Sequence, residues 1–232
     1  MNKIDITILI PCYNEEETIT KCINNAFSFL RENKFNGEVL VVDNNSTDNS
    51  YKLAKKAKAR VIKEKVQGYG AALISGTKKA HGKYIIMGDA DCSYDFNECL
   101  PFIKKLDIGY DLIIGNRFKG GIEKGAMSFS HRYIGNPFLS FLGKKMFKIK
   151  ISDFHCGLRG YKKDKILDLN LSSTGMEYAS EMIIKSSINK LKIDEIPIVL
   201  HKDGRVKTRS KLNTFRDGIR HLKLMLKLHK DL

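Results

Sequence analysis

Short, unbroken apolar runs alternate with helix-periodic segments through the first half of this 232-residue chain. "DITILIP" reads as a strand, and "EEETITKCINNAFSFLREN" as a helix with apolar residues at helical spacing. "GEVLVVD" is the next strand. A helix follows in "STDNSYKLAKKAKA", with Ser46, Thr47 and Asp48 as candidate caps. The pattern repeats through "RVIKEK", "YGAALISGTKKAHG", "KYIIMGD", "FNECLPFIKKL" and "YDLIIGN". Strands without polar alternation are covered on both faces, and the intervening helices permit parallel crossovers. This predicts a single α/β domain with a mainly parallel central sheet. In such sheets ligands bind beyond the carboxyl ends of the strands.

Beyond residue 116 the periodicity loosens. "RFKGGIEKGAMSFSHR" is rich in glycine and is expected to be a loop over a site. Helical stretches near 134–147 and 176–190 flank "DFHCGLRGYKK". The strand "KIDEIPIVL", a basic loop and a last helix from about residue 212 complete the chain. No apolar run approaches the ~20 residues that cross a bilayer, and the first residues do not resemble a cleaved leader. Five cysteines at irregular spacing suggest neither a disulfide framework nor a zinc site. These features predict a cytoplasmic protein. The net charge of +15 implies an anionic partner, and residues 201–232 carry ten Lys/Arg against three Asp.

Polar clusters fall where three strands end: "PCYNEE", "DNNSTD" and "GDADCSYD". In a parallel sheet these ends share one edge. Strand side chains alternate faces, so Asp89 and Asp91 are expected to point the same way while Ala90 points into the packing. Two hard oxygen donors side by side suit Mg²⁺ or Mn²⁺, with phosphate oxygens completing the shell. "QGYGAAL" sets two glycines before a helix, where backbone N–H groups can approach a phosphate. Arg117, Arg132, Arg205, Ser210 and Lys211 add groups suited to phosphate oxygens. Each motif alone is weak; an isolated Asp-x-Asp is more often a solvated turn, and a lone Arg a solvated surface group.

Together, "ILIPCYNEEETI", "VLVVDNNSTDNS", "QGYGAAL", "GDADCSYD", "GNRF", "DFHCGLRGY" and "RVKTRSKL" resemble family 2 of the inverting, nucleotide-sugar-dependent glycosyltransferases. Within it, the chain looks most like polyprenyl- or dolichyl-phosphate mannose or glucose synthases, from about residue 5 to 225. The resemblance implies a Rossmann-like GT-A fold and a nucleotide-diphosphate sugar donor of UDP-glucose or GDP-mannose type. It implies that Pro11, Tyr13, Glu15 and Asp43 hold the nucleoside and that Gly70 lies by the donor. Asp89 and Asp91 match the pair that holds metal and diphosphate. Arg117, Arg132, Arg205, Ser210 and Lys211 match acceptor-phosphate positions. Asp153, Gly157 and Arg159 match a motif shaping the sugar and acceptor region, and Glu181 matches a glutamate on the following helix. The resemblance thus gives Asp89, Asp91, Arg117, Arg132 and Glu181 catalytic roles. Asn44, Ser93, Thr208 and Arg209 depart from the residues usual in relatives.

The implied chemistry displaces a nucleoside diphosphate from a sugar carbon with inversion, assisted by a divalent cation. A hydroxyl acceptor needs a general base. A phosphate monoester, with a second pKa of about 6, does not. Several cations and no poised histidine favour polyprenyl phosphate, with a soluble hydroxyl acceptor as the alternative. A sugar nucleotidyltransferase is expected to show a Gly-rich first loop, unlike "PCYNEE". No nucleic-acid recognition motif is present. Residues 1–211 are expected to form the catalytic domain. Residues 212–232 are expected to form an amphipathic basic helix, part of that domain or appended to it. On it Leu212, Phe215, Ile219, Leu222 and Leu226 make one stripe, beside Arg216, Arg220, Lys223, Lys227 and Lys230. Such a helix suits an anionic membrane interface, and such stripes equally serve protein cores. The membrane reading places the enzyme peripherally on the inner face of the cell membrane.

Overall fold

The computed structural model describes residues 4–207 and 214–231. Strand β1 (Ile6–Cys12) is buried along its whole length, as an unbroken apolar run requires. Helix α1 (Ile19–Glu32) covers it with Ile19, Cys22, Ile23, Ala26, Phe29 and Leu30, all at helical spacing. α1 starts later than the sequence suggests, because a turn intervenes: the Glu15 carbonyl accepts from the amides of Thr18 and Ile19. Glu15 is thereby left at the strand end. Next come β2 (Gly37–Asp43), α2 (Ser50–Lys56), β3 (Arg60–Lys63), α3 (Tyr69–Lys79) and β4 (Tyr84–Met87). Of the expected α2 caps, Asp48 bonds the first helical residue, accepting from the Ser50 amide at 2.9 Å. A 3₁₀ turn over Phe96–Cys99 leads into α4 (Leu100–Asp107), followed by β5 (Leu112–Asn116).

The segment expected as a loop holds a short α5 (Arg117–Gly120), β6 (Gly121–Ile122) and a π-helical turn entering α6 (Asn136–Phe147). A further strand, β7 (Arg159–Lys162), lies inside "DFHCGLRGYKK", where none is predicted. The short α7 (Lys163–Leu167), α8 (Tyr178–Ile188), β8 (Ile193–Leu200) and α9 (Thr214–Lys230) complete the chain.

The eight strands form one sheet in the order β3-β2-β1-β4-β7-β5-β8-β6. All pairings are parallel except those of β7, which runs antiparallel to both β4 and β5. Its insertion sets Arg159 opposite Met87, so the start of β7 meets the end of β4. The direction of strand growth reverses between β1 and β4, which opens a crevice beyond their carboxyl ends. The expected boundary between residues 211 and 212 lies outside the described residues. α9 itself packs on α6 and α8.

Candidate active site

A cleft of about 320 Å³ opens at that crevice. Pro11, Cys12, Tyr13 and Glu15 enter from the end of β1, and Asn44 from the end of β2. Gln67, Gly68 and Tyr69 come from the start of α3, and Asp89, Ala90 and Asp91 from beyond β4. Gly175 and Met176 form part of the wall, joined by Arg205 and by Arg216, Asp217 and Arg220 of α9. Five expected site residues converge on Asp89: Pro11, Tyr13, Glu15, Asp91 and Arg205.

Asp89 accepts a hydrogen bond from the Tyr69 hydroxyl at 2.9 Å. Loss of hydration, and then the charge of Asp91, push its carboxyl up to about 7. Asp91 is oriented by the next residue but one: its Oδ1 accepts from the Ser93 amide at 3.0 Å and the Ser93 hydroxyl at 2.6 Å. Its Oδ2 lies 3.3 Å from the Arg205 guanidinium. Arg205 also makes a two-pronged pair with Glu15, at 2.8 and 2.7 Å. A cation therefore already bridges two of the cleft's carboxylates. Among the described residues no three His, Cys, Asp or Glu side chains gather to enclose a metal. Two adjacent carboxylates, Asp89 and Asp91, nonetheless fit an open site for a hard divalent ion. A diphosphate would supply the remaining oxygen ligands.

Gly157 explains part of this geometry. A Cβ there would lie 2.4 Å from Asp89 Oδ2, so only glycine lets β7 enter beside the carboxylate. Its amide is held by the Tyr94 hydroxyl at 2.9 Å. Gly70 serves a similar purpose without lining the cleft: a Cβ there would meet the Ser173 carbonyl at 2.1 Å. Asp43 is buried at the end of β2, and its Oδ1 has no hydrogen-bond partner among the described residues. That orphaned acceptor is suited to a donor group on a ligand.

Other expected residues are placed elsewhere. Arg117 is buried and gripped by Asp153, at 2.8 and 2.7 Å to its two oxygens, so both groups are engaged with each other. Arg159 is fully buried and donates to the carbonyls of Phe154, Cys156 and Ala179, bracing the fold instead of facing the cleft. Glu181 is buried too. It accepts from the amides of Ser172 and Ser173 and pairs with Lys185 at 2.8 Å. It thus anchors the loop that carries Gly175 and Met176. Arg132 sits on the π-helical turn, 5.4 Å from the Tyr133 ring centre, and does not line the cleft. Ser210 and Lys211 lie outside the described residues.

Tyr69, the orienting role of Ser93 and the α9 residues are additions to the expected set. The position of Tyr69 between two glycines at a helix start was the available signal. Asn44 replaces the usual acid with a brace. Its amide donates to the carbonyls of Glu64 and Val66, while its oxygen accepts from the Gly68 amide at 2.7 Å.

A mainly parallel α/β sheet with paired carboxylates beyond its switch point defines a GT-A glycosyltransferase fold. Residues 7–169 match the profile of Glycosyl transferase family 2, and the chain belongs to that family. It is 37% identical over 223 residues to the low-salt glycan biosynthesis hexosyltransferase Agl6 of Haloferax volcanii. That match takes in 95% of this chain, which spans only 53% of the relative's length. It is 30% identical over 217 residues to the UDP-N-acetylglucosamine–dolichyl-phosphate N-acetylglucosaminyltransferase of Methanococcus voltae, covering 83% of this chain and 84% of that one. Glucosyl-3-phosphoglycerate synthase from Mycobacterium tuberculosis, solved with Mn²⁺, UDP-glucose and phosphoglyceric acid, superposes with a TM-score of 0.76. The superposition covers 98% of this chain and 80% of that one; at 17% identity the likeness concerns the fold.

Proposed function

We propose that this chain transfers a hexose from a nucleotide-diphosphate sugar to a polyprenyl phosphate, inverting the anomeric carbon. The observation that carries the reading is the convergence of Asp89, Asp91, Glu15 and several arginines on one cleft at the switch point. The dolichyl-phosphate substrate named for the Methanococcus voltae relative supports the acceptor class.

Asp89 and Asp91 would hold Mg²⁺ or Mn²⁺, which when bound neutralises charge on the leaving diphosphate. Pro11, Tyr13 and the orphaned oxygen of Asp43 bind and orient the nucleoside. Tyr69 and Ser93 fix the two carboxylates, so little reorganisation is needed when the donor arrives. Arg205 is paired with Glu15 and lies 3.3 Å from Asp91, so a cation held by Asp91 would compete with that second contact. A phosphate acceptor needs no proton removed, and among the described residues no histidine lines the cleft. A hydroxyl acceptor would require a base. Asp89, half-buried in the cleft, is the carboxylate that the donor's cation needs ionised.

Two features support a membrane-borne acceptor. Phe215, Ile219, Leu222 and Leu226 of the α9 stripe are exposed, and α9 packs on the protein through Asp217, His221 and Met225 instead. Phe129, Tyr133, Ile134, Phe138 and Phe141 are exposed on and before α6, against which α9 lies. Lysines and arginines flank both sets. No helix among the described residues is long and apolar enough to cross a membrane, and the exposed stripe of α9 suits attachment at the interface.

The test combines calorimetry with product analysis. UDP-glucose and GDP-mannose are titrated with Mn²⁺ and with chelator, and isoprenyl phosphate is supplied as acceptor. The expected result is metal-dependent binding of one donor, abolished in Asp91→Ala, and an acid-labile lipid-linked sugar. Equal affinity with chelator refutes the metal role; transfer to hydroxyl acceptors alone refutes the acceptor class.

A further inference from the structure

The arginines in and around the cleft are not equivalent. Arg117 is committed to Asp153, and Arg159 to backbone carbonyls. Arg205 is largely buried between Glu15 and Asp91, where it balances the acidic floor. Helix α9 also contributes to the cleft wall, through Arg216, Asp217 and Arg220. Arg216 and Arg220 are four residues apart, so they share one helix face with Cβ atoms about 5–6 Å apart. Two guanidinium groups at that spacing repel unless an anion lies between or beside them.

Acidic neighbours accompany both groups. Glu177 holds Arg220 at 2.7 Å, and Asp217 lies 3.6 Å from Arg216. The side chain of Arg216 is 68% exposed, so moving its head group toward a ligand costs little packing. Each of the two follows an outward apolar residue: Phe215 precedes Arg216 and Ile219 precedes Arg220. Consecutive helical residues are about 100° apart. One helix therefore shows an apolar edge to the outside and, a quarter-turn away, a cationic edge to the cleft. A molecule with an apolar tail and an anionic head matches both edges at once.

We propose that Arg216 and Arg220 bind the phosphate of the acceptor, Arg216 by direct contact and Arg220 as its partner one turn on. The assignment rests on the polyprenyl-phosphate reading above and adds the residues that receive the head group. It makes α9 part of the binding site as well as a surface element. Arg220 keeps its tie to Glu177, which holds the helix against α8 while Arg216 closes on the phosphate.

The experiment measures steady-state transfer to a short, micelle-soluble isoprenyl phosphate, which removes vesicle docking from the readout. Donor affinity is measured separately by calorimetry with Mn²⁺. Arg216→Ala is expected to raise the KM for the isoprenyl phosphate about tenfold or more, as loss of a charge-assisted hydrogen bond implies. Its kcat and donor affinity are expected to stay within threefold of wild type, and Arg216→Lys to recover part of the loss. Because Arg216 is exposed, this variant keeps its fold; Arg220→Ala, scored only if its melting temperature is retained, is expected to act in the same direction. Unchanged KM in Arg216→Ala overturns the assignment, and so does an equal loss of donor affinity, which would place Arg216 at the diphosphate. If the wild-type protein transfers to no isoprenyl phosphate, the acceptor reading itself fails and this assignment falls with it. If the wild type transfers and the variants match it, the assignment alone falls.

Discussion

Replacing Gly157 by alanine is expected to disable the cleft without unfolding the protein. The added methyl carbon would sit 2.4 Å from Asp89 Oδ2 and 3.0 Å from its Cγ. Non-bonded heavy atoms ordinarily sit roughly 3.5 Å apart, so the carboxylate has to retreat by about 1 Å. It cannot do so freely, because its other oxygen is held by the Tyr69 hydroxyl at 2.9 Å. Misplacing a reacting group by about 1 Å costs on the order of 100-fold in rate, equivalent to about 2.7 kcal/mol of transition-state stabilisation. The backbone at Gly157 is not in the left-handed region, so alanine adds no conformational strain there. The hydrogen bond from its backbone N–H to the Tyr94 hydroxyl is also open to alanine. The assay is kcat/KM for the donor at saturating isoprenyl phosphate, run beside a thermal melt. A variant with wild-type kcat/KM within threefold and an unchanged melt would show either that Asp89 does not need its present position or that it is not part of the chemistry.

Two further outcomes concern α9. His221 is buried against α8, with its Nδ1 2.7 Å from the Ser180 hydroxyl and its ring against His155; Glu177, Asp217, Arg159 and Arg220 also act on it. Burial pushes its pKa down to about 4 from an ordinary 6.5, so its contribution to stability is complete above pH 6.5 and is lost as the pH falls toward 4. The loss amounts to roughly 3 kcal/mol; urea midpoints at pH 7 and pH 4.5 should differ less in His221→Gln than in wild type, and identical acid sensitivity would refute the buried neutral state. In vesicle sedimentation, the protein should bind anionic but not neutral vesicles, weaken with salt, and lose most binding in Phe215→Asp/Leu226→Asp. Binding that ignores lipid charge and these substitutions would exclude the α9 stripe as the anchor.

The parallel strands were legible because burial on both faces leaves a mark in the residues themselves: "ITILIP", "VLVV" and "YIIM" have no polar alternation to explain away. β7 left no such mark. Its four residues, Arg159–Lys162, include a glycine and two cations, and they are a strand because β4 and β5 offer unpaired edges on both sides. The paired aspartates were legible for the same reason as the strands, since their place follows from where β4 ends. The arginines were not. Arg117 and Arg205 look alike in a motif, yet one meets Asp153, far along the chain, and the other meets Glu15 and Asp91. On α9 the stripe was visible but its direction was not. Polar partners on and just before α8, Ser180 and Glu177, draw His221 and Arg220 toward the body and leave the leucines outside.

The antiparallel insertion of β7 also sets an order of events during synthesis. β1 to β4 can pair as soon as residue 87 has emerged, but the outer edge of β4 stays unsatisfied until Arg159–Lys162 arrive about 70 residues later. At about 5–20 residues per second, that edge is open for roughly 4–14 s on the ribosome. Its residues, Tyr84–Met87, are apolar and lack any gatekeeping charge. A nascent chain stalled within this interval would present a ready template for pairing with another chain. Mutations that slow the delivery of β7 should therefore appear first as aggregation of newly made protein, well before any loss of stability in the finished enzyme.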